Sequence, residues 1–321
     1  MNNINLKFRR TARFIFSLIG FAFLVCLCST SLQAQSKAAL QAKSKTALQA
    51  QSKAATTVSF KKDRFNRIFI PVKIDRDSLS LLFSTYSKTL RLTPYFMETM
   101  ALYPSRSLLA LKDKTGRKAA RMVFYLPKLD IGSLKFRNEE TIVNYAFPDT
   151  IITGTTGTML VYQYNWKIDN DKSIISIAKT PFAPTQVFTI IKYKNDSHPI
   201  VPVQIGELKD NFVIDFGSGT NFQVSGTTPL GKELITANQL QPIVTLTTSF
   251  RSTKVVDTIY EVTVPALLLN GVALSNQKIT ISTAAPHNVV GAAFLGNYNV
   301  IMNNSQKRKI DSDLILQNRV K

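Results

Sequence analysis

The segment Phe212-Val213-Ile214-Asp215-Phe216-Gly217-Ser218-Gly219-Thr220 carries an apolar run into a single carboxylate and then into a Gly-Ser-Gly turn. Aromatic and β-branched residues followed at once by glycines read as a strand that stops at Asp215. Gly217 and Gly219 lack a Cβ, so a second backbone can come close to the carboxylate there. Working outward, Pro202-Val203-Gln204-Ile205 precedes Asp215, and Pro71-Val72-Lys73-Ile74 precedes Ser84. Both the proline pair and the Ser84/Asp215 pair are offset by 131 residues, with no gap between.

Three further marks repeat in the same order. Thr93-Pro94 and Thr228-Pro229 each put proline at the first position of a helix behind a capping threonine. Tyr125-Leu126-Pro127-Lys128-Leu129-Asp130-Ile131-Gly132-Ser133-Leu134 matches Val264-Pro265-Ala266-Leu267-Leu268-Leu269-Asn270-Gly271-Val272 in pattern. Gly157-Thr158-Met159-Leu160-Val161-Tyr162-Gln163-Tyr164 matches Gly291-Ala292-Ala293-Phe294-Leu295-Gly296-Asn297-Tyr298. The chain is therefore a duplication, with halves over 57–182 and 183–321 joined at the proline-marked stretch 179–184. Short Ile/Val/Phe/Thr-rich runs predict strands at Ile68–Ile74, Leu79–Phe83, Met122–Leu126, Val187–Lys192, Ile200–Ile205, Phe212–Ile214, Ile243–Thr248 and Val255–Val264.

An apolar-Asp-x-Gly strand end, a hairpin, and then an apolar-apolar-Gly-helix element at Val289-Val290-Gly291 resembles the retropepsin and pepsin families of aspartic peptidases. The segments Tyr164–Asp169 and Asn297–Asn303 are similar to those of bacterial exported retropepsin-like proteins with two tandem halves. The resemblance spans 58–310. It implies an all-β fold of two pepsin-like β-barrel lobes related by pseudo-two-fold symmetry, with a few short helices and a cleft between. It also implies Asp215 as the catalytic position and Ser84 as its degenerate counterpart. Phe216, Gly217, Ser218, Gly219, Thr85, Tyr86, Gly157 and Gly291 become the supporting loop residues.

This chain departs from that pattern where chemistry is decided. Two carboxyls sharing a proton titrate apart, so that one serves as base and the other as acid. Here Leu82-Phe83-Ser84-Thr85-Tyr86-Ser87 puts a serine in place of the second carboxyl. A hydroxyl does not titrate in the useful range. Phe216 stands where the family has a hydroxyl that braces the loop, and Tyr86 is expected to set a ring where close approach requires a hydrogen. Asp75 and Asp77 fall in a turn before the strand and do not supply a partner. The expectation is a non-catalytic protein that binds an extended peptide or an exported protein partner in the cleft. The alternative is an active endopeptidase whose second acid is unidentified or supplied by a homodimer.

Composition excludes other classes. Among 321 residues, 45% are hydrophobic and 19% charged, enough for a core. Lys7, Arg9, Arg10 and Arg13, the apolar run 14–27 and the small residues ending at Ala34 read as an export signal, residues 1–34. The apolar run is too short to span a bilayer. The chain is thus expected outside the cytoplasm: periplasmic, on the outer surface, or secreted. No stable membrane span is expected after cleavage. Removing the signal takes away both cysteines and four cations, leaving +16 of the +20. Residues 35–56 repeat Gln, Ser, Lys and Ala and read as a spacer. Lys307-Arg308-Lys309 is the one tight basic triplet near the end, and no nucleic-acid motif accompanies it. His198 and His287 read as loop residues with no metal-ligand spacing. Gly217-Ser218-Gly219 lacks the spacing of a nucleophile elbow, and Gly154–Gly157 lacks the Lys-Ser/Thr of a phosphate loop. No cofactor or metal is expected, and a monomer is.

Overall fold

The computed structural model describes residues 55–100, 102–112, 118–144, 152–185, 187–196, 198–248, 254–304 and 311–320. Residues 1–34, read as an export signal, all but the last two residues of the segment read as a spacer, and Lys307-Arg308-Lys309 lie outside them. The described residues fall within one compact unit.

The first half contributes β1 (Thr56–Ser59), β2 (Lys61–Lys62), β3 (Ile68–Ile74), β4 (Asp77–Leu82), β5 (Leu90–Leu92), β6 (Tyr103–Lys112), β7 (Lys118–Ile131), β8 (Leu134–Val143), β9 (Gly154–Thr155), β10 (Asn165–Asp169) and β11 (Ile174–Ala178). The second contributes β12 (Phe188–Asp196), β13 (His198–Ile205), β14 (Leu208–Asp215), β15 (Phe222–Ser225), β16 (Ile243–Thr248), β17 (Lys254–Leu269), β18 (Val272–Ser282), β19 (Asn288–Gly291), β20 (Tyr298–Asn303) and β21 (Ser312–Asn318). Short helices sit at Pro94–Thr99, Thr158–Val161, Pro229–Ala237 and Ala292–Leu295. The fold is therefore all-β with few short helices. Proline starts two of the helices as the sequence predicts. Only one of the two threonines caps: Thr228 Oγ1 accepts from Gly231 N at 3.1 Å, whereas the Thr93 side chain makes no cap bond.

Each half closes a ring of six strands, which removes sheet edges that would otherwise pair with other chains. In the second half the order β13-β14-β19-β15-β18-β17 returns on itself through a β13–β17 pairing. In the first, β3-β4-β9-β5-β8-β7 returns through β3–β7. The equivalence holds at the level of register. Leu82 runs parallel to Thr155 on β9 as Val213 does to Val289 on β19. Arg91 faces Thr155 as Gln223 faces Val289.

The halves are not separate bodies. A six-stranded layer in the order β1-β11-β10-β20-β21-β12 draws strands from both. At its centre Trp166, Lys167 and Ile168 pair antiparallel with Met302, Ile301 and Val300. Since Tyr164 and Tyr298 correspond at an offset of 134, Lys167 pairs with its own counterpart Ile301, the register that a two-fold axis produces. The division at 182/183 thus marks the duplication and not a domain boundary. The first strand starts at Thr56, so the spacer assigned to 35–56 overlaps the fold by that residue.

The core sits where the halves meet. Phe83 packs on Trp166 at 5.0 Å and on Phe216 at 5.5 Å, and all three rings are buried. Trp166 Nε1 also donates to the Val161 carbonyl at 2.6 Å. Replacing Trp166 by Ala is expected to cost about 3–5 kcal/mol, since it leaves a large cavity in the shared core. Urea unfolding followed by far-UV circular dichroism measures this; a loss below 1 kcal/mol would show that the shared core does not couple the halves.

Candidate functional site

Asp215 ends β14, whose last four residues are buried because β13 flanks them on one side and parallel β19 on the other. From the first half, the chain leaving β4 brings Ser84 and Thr85 against it. Asp215 Oδ1 accepts three hydrogen bonds: from Ser84 Oγ at 3.0 Å, Thr85 N at 3.1 Å and Gly217 N at 2.9 Å. The residues at equivalent positions 84 and 215 therefore touch, as Lys167 and Ile301 do. Ser84 is itself held by Thr156 Oγ1, which accepts from Ser84 N at 2.9 Å and donates to Ser84 O at 3.0 Å.

Glycine is required at this junction. A Cβ on Gly217 would lie 2.9 Å from Ser84 Cβ and 3.2 Å from Asp215 Oδ1. One on Gly291 would lie 2.2 Å from the Thr220 carbonyl, and one on Gly157 2.6 Å from Leu90 N. These last two glycines open the short helices, whose first amides bind the loops in matching fashion: Ala292 N to Ser218 O at 2.7 Å and Thr158 N to Ser87 O at 2.6 Å. Ser218 and Thr220 share a hydroxyl–hydroxyl bond of 3.0 Å, and Gly219 lies against Phe65.

A hydroxyl braces the loops from one half only. Thr85 Oγ1 donates to the Ile214 carbonyl at 2.5 Å, tying the first-half loop to the second-half strand. Phe216, at the equivalent position, has no hydroxyl to return that bond and instead buries its ring on Phe83. Tyr86 behaves differently from the sequence expectation. Its ring does not hold the loops apart, since Ser84 Oγ still reaches Asp215. It turns aside to stack on His198 at 4.7 Å and on His287 at 4.1 Å. His198 is correspondingly the first residue of β13 and not a loop residue.

Burial pushes the Asp215 carboxyl above its ordinary range, and the Gly217, Ser84, Thr85 and Tyr86 donors pull it part of the way back. Burial likewise raises the Tyr86 phenol, opposed by the nearby Arg91 charge. Arg91 is held below its ordinary value by burial, with Tyr86 and Asp215 acting in the opposite sense. Chemically, the junction offers one carboxyl, the Ser84 hydroxyl bonded to it, and one guanidinium. Asp75 and Asp77 are exposed in and beside the β3–β4 turn, away from it. Among the described residues no group of three His, Cys, Asp or Glu side chains could hold a metal, and no helix is long and apolar enough to cross a membrane. Sequence reasoning missed Arg91 and the two histidines, whose separations of 107 and 196 residues from Arg91 give no local pattern. The available signal for Arg91 was a charge between Leu90 and Leu92 in a strand matching Phe222-Gln223-Val224.

Two substitutions separate the charge of Asp215 from its bonds. Asp215→Asn keeps an acceptor and is expected to unfold within about 1 kcal/mol of the parent, whereas Asp215→Ala orphans three donors and costs about 3 kcal/mol. Because the folded-state carboxyl titrates above the unfolded one, the native state holds the extra proton between the two values. Stability of the parent therefore falls as pH rises from about 4 through the folded value, then levels. Thermal unfolding from pH 4 to 8 should show Asp215→Asn gaining on the parent over that window; a parent that gains on the variant would overturn the assignment.

No family model matches the chain, and no curated protein matches it.

Proposed function

We propose that the chain is an exported, aspartic-peptidase-like protein that does not cleave. In this reading the two strand rings are pepsin-like lobes, and an extended peptide or an exported protein partner lies in the cleft between them. The observation that carries it is the 3.0 Å bond from Ser84 Oγ to Asp215 Oδ1. At the position where hydrolysis requires a second carboxyl, a neutral donor occupies the first.

The bond matters because of proton counting. A water placed between two carboxyls is deprotonated by one while the peptide oxygen takes a proton from the other. With Ser84 as the neighbour, Asp215 is solvated by donors and has no acid to share a proton with. A dimer that supplied a second Asp215 would have to displace the first-half loop, which is tied in by Thr85 as well as Ser84. Binding needs neither: extended peptides are held by main-chain bonds and side-chain pockets.

The test is to incubate the purified chain with a mixed peptide library from pH 3 to 7 and follow it by mass spectrometry. Intact peptides are expected throughout, with a subset retained on the protein. Cleavage that disappears in Asp215→Asn would replace this reading with that of a working peptidase.

A further inference from the structure

Arg91 is a half-buried cation whose Nε is sealed from solvent with no hydrogen-bond acceptor among the described residues, and it lies beside the site. It occupies the middle of β5, where Leu90 and Leu92 point into the first-half core. Alternation sends its side chain to the opposite face. There its charge is felt by Tyr86 and Asp215. Directly across the ladder stands Thr155 on β9, on the same face because residues in register share one. Thr89 is two residues upstream.

Three atoms of this group are sealed from solvent and have no hydrogen-bond partner among the described residues: Arg91 Nε, Thr155 Oγ1 and Thr89 Oγ1. Buried polar atoms are almost always paired, and an unpaired buried charge is the costliest exception. Asp215 does not answer the need, because the donors on its Oδ1 are Ser84, Thr85 and Gly217. The whole Arg91 residue stays only half-buried, so a route to the guanidinium remains.

The duplication sharpens the point. The second-half counterparts of Arg91 and Thr155 are Gln223 and Val289, which are neutral and, at Val289, apolar. Cation and hydroxyl occur together only in the half that has serine for the second carboxyl. Among the described residues Asp215 is the one carboxyl whose charge acts on this guanidinium, and no second carboxyl stands at position 84.

We infer that Arg91, Thr155 and Thr89 form a subsite for a carboxylate, brought by an acidic residue or the C-terminus of the bound peptide. The planar guanidinium matches a carboxylate with two parallel N–H bonds, and the hydroxyls add donors. The inference rests on the peptide-binding reading above for the source of the carboxylate, and on the geometry alone for the site.

To test it, the immobilised full chain is offered a decapeptide pool in two forms, untreated and with every carboxyl converted to its amide. The untreated pool should be retained about tenfold more, the size of one charge-assisted bond. Arg91→Gln should abolish the preference while leaving the melting temperature unchanged or higher, since a neutral amide relieves a buried charge. Arg91→Lys should keep part of it, and Thr155→Val, which retains the cation, should weaken it. Equal retention of both pools overturns the carboxylate site and leaves peptide binding standing. If neither pool is retained, glutarate decides: a rise in melting temperature that Arg91→Gln removes keeps the site but assigns it to small carboxylates and ends the peptide reading. No retention and no shift ends both.

Discussion

The structure depends on the two halves meeting through the Asp215 carboxylate. That one oxygen gathers donors from its own turn and from the opposite half, while Thr85 returns a hydroxyl to the strand that delivers it. A carboxylate accepting several bonds is a strong junction, because charge-assisted hydrogen bonds are about twice as strong as neutral ones. The rings Phe83, Phe216 and Trp166 close behind it and exclude water. The β10–β20 pairing repeats the same logic at a second place, setting equivalent residues face to face. Two such meetings fix one axis, and the remaining strands follow from it.

That geometry explains which features were legible in the chain. The Pro-Val-x-Ile marks, the Thr-Pro starts and the Gly157/Gly291 helices repeat at fixed offsets, and a repeat survives in sequence whatever its contacts. Strands β3 and β16 keep the bounds that their apolar runs suggest. Strands β7 and β17 run well beyond the predicted Met122–Leu126 and Val255–Val264, because Pro127 and Pro265 break the apolar runs in the sequence while the ladders to the partner strands continue past them and bury Leu129, Ile131, Leu267 and Leu269. The position of Ser84 opposite Asp215 was readable from the offset of 131 alone.

What was not readable was where side chains turn after the backbone is fixed. Tyr86 stands at the counterpart of Gly217, and a ring there suggested that the loops could not close. Closure persists because serine at 84 is short and because His198 and His287 offer the ring a stacking surface. Phe216 looked like a missing brace, but its ring finds Phe83 and trades a hydrogen bond for apolar burial. Arg91 looked like an ordinary outward residue of a strand. Only the ring closure, which puts β9 on one side of β5 and β8 on the other, leaves the residue half-buried with its Nε sealed from solvent.

These residues act together on the charge at the junction. Two carboxylates in contact repel, and the protein must hold a proton between them to keep the halves together. With serine at 84 no such repulsion arises, and the junction holds without a proton shared between two carboxyls. Among the described residues Asp215 is the one carboxyl whose charge acts on the nearby Arg91 guanidinium. On the proposed reading, a site built to pass a proton between two acids has become one that presents a cation to a ligand. Loss of hydrolysis and gain of anion selectivity then have a single electrostatic origin, the missing charge at position 84.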